Sequence, residues 1–138
     1  MKTNKITIQA DIAADIKKAW DYYTQPDHIT KWNFASPDWH CPKPENDLRV
    51  GGKYSARMEA KDGSWGFDFV AVYDSVVDYK NFIYTLADDR KVTMVFEDFG
   101  DKTHVMVTFD AEKENSEEMQ RNGWQAILDN FKKYVETH

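Results

Sequence analysis

Between Lys53 and Asp110 apolar and polar residues alternate, and this period of two constrains the chain more than any other feature. Successive strand side chains point to opposite faces, so such alternation describes strands buried on one face only. Tyr54, Ala56 and Met58 form a first apolar row, ended by a turn at Asp62-Gly63. Phe67, Phe69, Ala71 and Tyr73 follow, then Phe82, Tyr84 and Leu86 after a turn near Tyr79-Lys80-Asn81. Asp88-Asp89 and Gly100-Asp101 bound the last two rows, Val92-Met94-Phe96 and Val105-Val107-Phe109. Five strands joined by short turns make an antiparallel meander. Residues 4–12 alternate through Ile6, Ile8 and Ala10 and add a strand that can pair at one edge.

A sheet with one apolar face needs a cover. Asn115 or Ser116 caps a helix that runs nearly to the C-terminus, with Glu117 and Glu118 against its positive end. Trp124, Ile127, Leu128, Phe131, Tyr134 and Val135 lie on one stripe of it. Earlier, Ile16, Ala19, Trp20 and Tyr23 recur at helical spacing until Pro26, and a second short helix covers Pro26 to Trp32. Residues 33–52 carry Pro37, Pro42, Pro44, Gly51 and Gly52 and read as a long irregular loop, a cover with Trp39 in it. The expected architecture is α+β, one domain over residues 1–138. It has a curved six-stranded antiparallel sheet, two short helices after the first strand, and a long C-terminal helix across the concave face. Gly123 weakens that helix by about 1 kcal/mol relative to alanine. Its expected return is a close approach to a strand or ring while Trp124 reaches over the sheet.

The chain contains five Trp, seven Tyr and eight Phe, a ring supply that exceeds one ordinary core layer and suits the lining of a cavity. The face bearing Tyr54, Met58, Phe67, Phe69, Tyr84, Met94 and Phe96 looks toward the helix. Trp32, Phe34 and Trp39 are placed to close one end of the space beneath Trp124 and Leu128. These twelve are the candidate ligand-binding residues. An apolar enclosure with a few polar handles is the usual form of a small-molecule site. Tyr54 and Tyr84 supply hydroxyls that need partners when buried.

Net charge of −6 and the absence of a basic stripe argue against nucleic acid and anionic membrane as partners. Cys41 is the single cysteine, which excludes an internal disulfide and fits a reducing compartment. The N-terminal stretch lacks the apolar segment of a leader, so a cytoplasmic location is expected. His28, Asp38, His40 and Cys41 match no metal-ligand spacing, and neither a metal nor a cofactor is expected. Glu59, Asp68, Glu97, Arg57 and His104 fall on the outward alternation, which leaves the cavity free of charge and favours binding over turnover. An edge strand or the convex face offers a homodimer surface.

The segments AWDYYTQPDHITKW, GGKYSARM and NGWQAILDNFKKYVE resemble, in order and spacing, a group within the START-like SRPBCC superfamily. It is the group named after the activator of heat-shock protein 90 ATPase homologue. Trp20, Pro26, Trp32, Gly51-Gly52 and Gly123-Trp124 fit the places its pattern requires. The resemblance spans nearly the whole chain and implies a helix-grip fold, with a cavity between the long helix and the sheet. Relatives use that cavity for apolar or aromatic molecules. Some are lipid carriers and others polyketide cyclases, so a cyclase or hydratase using Tyr54 or Tyr84 as proton donor is the alternative. Co-chaperones of the group carry a separate N-terminal chaperone-binding domain, for which these 138 residues leave no room, and this speaks against a chaperone partner.

Overall fold

Seven strands, not six, form a single antiparallel sheet in the computed structural model, which describes residues 4–138. Residues 1–3, where the stretch read for a leader begins, lie outside the described residues. In chain order the elements are β1 (Lys5–Ile12), α1 (Ile16–Thr24), α2 (Pro26–Trp32), β2 (Trp39–Asn46) and β3 (Lys53–Ala60). They continue with β4 (Gly66–Val77), β5 (Asn81–Leu86), β6 (Lys91–Asp98), β7 (Thr103–Asp110) and α3 (Glu117–Thr137). The sheet order is β1-β7-β6-β5-β4-β3-β2, so consecutive hairpins run from β2 to β7 and β1 pairs against β7. The sheet curls around α3 as a half-barrel.

The additional strand is β2, inside the segment expected to be loop. Pro42 and Pro44 argue against a central strand because proline cannot donate to a ladder. β2 is an edge strand, however, and its pairing with β3 shifts register between His40 and Lys43. A bulge at an edge removes the need for the missing N–H groups and discourages further pairing. After β2 the chain doubles back at Gly51, with φ of 82°, and Gly52. A Cβ on Gly52 would stand 2.0 Å from the Asp47 carbonyl oxygen, so only glycine fits there.

The remaining strands follow the alternation. Tyr54 sits opposite Ala71, Met58 opposite Phe67, and Phe82 opposite Met94, all on the concave face. Asp15 caps α1 by accepting from Lys18 N at 2.8 Å, and Ser116 caps α3 by accepting from Met119 N at 3.1 Å. Both termini thereby satisfy a donor that the helix itself cannot.

α3 also seals the free edge of β1. The outward carbonyls of Thr7, Gln9 and Asp11 receive Arg121 Nη1 at 2.8 Å, Gln125 Nε2 at 3.2 Å and Lys132 Nζ at 2.6 Å. At the opposite edge, the α2 residue Thr30 donates its hydroxyl to the Cys41 carbonyl at 2.6 Å. Asn130 of α3 donates to the Trp32 carbonyl at 2.8 Å and ties the long helix to the end of α2.

Gly123 does not bring α3 into close contact, contrary to the sequence expectation. A Cβ built there meets no heavy atom within 4 Å. The helix stands off from its surroundings at this point, and the next residue, Trp124, begins the stretch that overlies a hollow.

Candidate ligand cavity

That hollow is a cavity of about 310 Å³ between α3, the β3–β5 region of the sheet and the ends of α1 and α2. Trp124, Ile127 and Leu128 form its roof, one helical face of α3 turned to the sheet. One face of the Trp124 indole is stacked on Phe109, with centroids 4.1 Å apart and planes 14° apart. Its edge meets Phe69 at 6.2 Å. The position of the roof is therefore fixed by β7 on one side and by β4 on the other.

Eight of the twelve candidate residues line this space: Trp32, Tyr54, Met58, Phe67, Phe69, Tyr84, Trp124 and Leu128. The other four do not. Met94 and Phe96 lie on the expected face, but α1 covers it there, with Trp20 at 5.1 Å and Tyr23 at 5.8 Å from the Phe96 ring. Both are core residues with at most 4% of their surface exposed. Trp39 is on β2 and packs near Trp65 and Phe67, at 6.0 and 6.1 Å, outside the enclosed volume. Phe34 follows α2 half-buried, with its backbone N–H bonded to the Trp32 carbonyl.

Other residues complete the lining without having been singled out. Tyr73 and Phe82 belong to the same alternating rows as Tyr54 and Tyr84, so their facing was readable; their depth was not. Tyr23 shares the apolar face of α1 with Trp20. Asn33, Asn46 and Gln120 carried no periodic signal, yet all three face the cavity. The expectation of a charge-free enclosure also needs correction, because Arg90 and Glu112 contribute to the lining. They come from the turn before β6 and the loop after β7, where alternation no longer indicates a face. Arg90 Nε donates to Asp88 Oδ2 at 2.7 Å, so its charge is partly answered by its own turn.

Polar groups gather around the tyrosines. Asn33 Nδ2 donates to Tyr54 Oη at 3.3 Å and lies 3.7 Å from Cys41 Sγ. Tyr73 Oη donates to Asn46 Oδ1 at 2.7 Å, and Asn46 Nδ2 donates to the Thr24 carbonyl at 2.7 Å. Gln120 accepts from Glu112 N at 2.8 Å and donates to the Asn115 carbonyl at 2.9 Å, which closes the loop leading into α3. Burial, and then the neighbouring Tyr23, push Tyr54 and Tyr84 far above the ordinary phenol range. Burial alone raises Tyr23. Tyr73 is raised by burial and drawn partly back by Asn46. The Cys41 thiol is pushed up to about 11 by burial, against a smaller opposing effect of Asn33. At neutral pH all these groups hold their protons.

The outward-facing ions lie where alternation placed them. Arg57 Nε meets Glu59 at 2.9 Å and Arg57 Nη1 lies 3.5 Å from Asp68, while His104 Nδ1 lies 2.7 Å from Asp11. His28, Asp38, His40 and Cys41 do not come together: His28 bonds Tyr134, Asp38 bonds Ser36, His40 faces Glu59 and Cys41 is buried beside Asn33.

Residues 13–136 match the family model described as activator of Hsp90 ATPase homolog 1-like protein. The chain belongs to this family. The solution structure of the AHSA1-like protein from Aeromonas hydrophila is 42% identical, over 97% of this chain and 93% of that one, with a TM-score of 0.91. A solution structure from Cytophaga hutchinsonii is 48% identical, over 96% of this chain and 92% of that one, at a TM-score of 0.83. A crystal structure from Chromobacterium violaceum shares the fold, with a TM-score of 0.86 at 22% identity over 96% of this chain and 98% of that one. Comparison with curated proteins gives no match. The half-barrel and its long helix agree with the START-like SRPBCC fold of these family members. Among the described residues no helix is long and apolar enough to cross a membrane.

Proposed function

We propose that this family member binds a small hydrophobic or aromatic molecule, lipid-like molecules included, in the cavity beneath α3. The observation that carries the reading is the cavity itself. About 310 Å³ lies between α3 and the sheet, walled mainly by rings and aliphatic groups with a few polar side chains among them. Ligand pockets span roughly 300–1,000 Å³, and their walls are mainly apolar with a few placed polar groups. Leaving such a space empty forfeits dispersion contacts along all its walls, and an apolar ligand restores them.

The cyclase or hydratase alternative needs a group that exchanges a proton near neutral pH. The four cavity tyrosines are displaced away from that range by burial, which suits hydrogen bonding better than proton transfer. Binding without turnover is therefore the reading supported best. Titration with an apolar fluorescent probe tests it. The wild-type chain is expected to take up the probe at one site, and Trp124→Ala to weaken uptake at least tenfold while the circular dichroism stays native. Equal affinity in both proteins would remove the cavity as the site.

A further inference from the structure

The tyrosine hydroxyls of the cavity are unequally committed. The hydrogen of Tyr73 is spent on Asn46 at 2.7 Å, and the Asn46 amide is in turn spent on the Thr24 carbonyl. Tyr54 Oη accepts from Asn33 Nδ2 at 3.3 Å, which occupies a lone pair and leaves its own hydrogen without an acceptor. The hydroxyls of Tyr23 and Tyr84 find no partner among the described residues. Among the described residues no side-chain polar atom is both fully enclosed and unpaired, so these two oxygens touch the open volume of the cavity they line. Tyr84 keeps only 5% of its surface accessible, and that remainder belongs to cavity wall.

Three phenol donors thus border one apolar enclosure. A hydrogen-bond donor withdrawn from water and left unpaired is unfavourable, and a site built around such donors rejects ligands that lack an acceptor. The charge around them decides the kind of acceptor. Among the described residues Arg90 is the only cationic one in the lining, and its guanidinium is engaged by Asp88 at 2.7 Å. A carboxylate or phosphate drawn in among the phenols would have no free counter-charge, and buried unpaired charge is strongly disfavoured.

We propose that the ligand carries a neutral acceptor oxygen, a ketone, quinone or ester carbonyl on an apolar skeleton, held by the hydroxyls of Tyr23, Tyr54 and Tyr84. This rests on the ligand-binding reading above and specifies its chemistry. The apolar skeleton occupies the space between Phe69, Trp124 and Leu128, and the carbonyl points away from the roof toward the tyrosines.

A matched set of probes tests it: fluorene, 9-fluorenone and fluorene-9-carboxylate, each titrated into the full chain by calorimetry. Fluorenone should bind at least tenfold tighter than fluorene, and the carboxylate more weakly than the ketone. Tyr84→Phe keeps the ring and should weaken fluorenone roughly threefold to tenfold, the worth of one hydrogen bond, with fluorene unchanged. A purely structural role of the hydroxyl would move both ligands together. Equal affinity of fluorene and fluorenone overturns the proposal and leaves the cavity standing as an apolar site. Carboxylate binding as tight as the ketone overturns its neutral character. Failure of all three to bind overturns the cavity reading itself. The ranking on the wild-type chain requires no variant, and Tyr23→Phe repeats the test if Tyr84→Phe does not fold.

Discussion

Phe131 and Val135, in the C-terminal half of α3, have no accessible surface, whereas Trp124 and Ile127 one to two turns earlier remain only half-buried. Both halves present the same apolar stripe to the same sheet. The difference is a third layer. Phe131 lies 5.0 Å from Tyr23 of α1 and 5.0 Å from Trp32 at the end of α2, so the two short helices fill the space between α3 and the strands. Beneath Trp124 no helix intervenes, and the rings of β3–β5 face the roof across open volume. One half of the helix is core and the other spans a chamber. A stripe of apolar residues reports which face is turned inward, and it carries no information about whether the inside is full.

The largest test of this contrast is Phe131→Ala. A fully buried ring removed from packed surroundings leaves a void, and the expected loss is about 3–5 kcal/mol. Urea unfolding would read it directly, with probe affinity falling only through the unfolded fraction. A loss under about 1 kcal/mol would mean that the C-terminal half is no better packed than the roof. Trp124→Ala should destabilise less, by about 1–3 kcal/mol, since much of the ring already borders open space and its main contact is the stack on Phe109. The two variants should thus trade places: Phe131→Ala acts on stability, Trp124→Ala on binding. If they lose stability and affinity in the same proportion, the helix is energetically uniform and the contrast fails.

Much of the fold was legible because alternation and turn chemistry report local geometry. The turns expected at Gly63, Tyr79, Asp89 and Gly100 all carry a residue with positive φ, from 63° to 84°. β2 was not legible, since its two prolines are signals of loop everywhere except at a bulged edge, and edge position is a property of the whole sheet. The site was legible by face and not by depth. Met94 and Phe96 obey the same period as Tyr54 and Tyr84, and only the placement of α1 makes the first pair core and the second pair wall. Asn33 and Asn46 border the cavity at the end of α2 and the end of β2. Such positions belong to no periodic pattern, so nothing short of the tertiary structure assigns them.

Gly123 sharpens the contrast at smaller scale. Its place in the chamber half is open, with no heavy atom within 4 Å of an added Cβ, and its backbone lies outside the left-handed region. Gly123→Ala should therefore gain about 0.5–1 kcal/mol from helix propensity and the reduced freedom of the unfolded chain. A thermal melt shifted upward would confirm the stand-off. A loss of stability would show that the helix does press against something there, as the sequence alone suggested.

The smallest expected effect concerns how the packed half is anchored. Glu136 accepts from Lys132 Nζ at 2.6 Å and from the backbone N–H of Ala13 at 2.9 Å, and these two bonds, Lys132 first, hold its carboxyl below the ordinary glutamate range. A carboxyl depressed in the folded state contributes stability that is complete above its unfolded value, about 4.3, and lost as pH falls through the folded value. Acid should accordingly loosen the last turn of α3 from the segment after β1, while the roof half, tied to the β1 carbonyls by Arg121 and Gln125, keeps its hydrogen-exchange protection. Glu136→Gln is expected to lower stability at pH 7 by under about 1 kcal/mol, as for other exposed pairs, and to flatten the decline below about pH 4. An acid decline of the same slope in both proteins would place the sensitive carboxylate elsewhere. Asp110 is then the next residue to substitute: burial raises its carboxyl, but Lys5 and the N–H of Lys91 together lower it further. It sits at the end of β7, one residue from the Phe109 ring that supports Trp124. An acid response traced to Asp110 would move the pH-sensitive anchor from the packed half of the helix to the chamber half, and reverse this last term of the comparison.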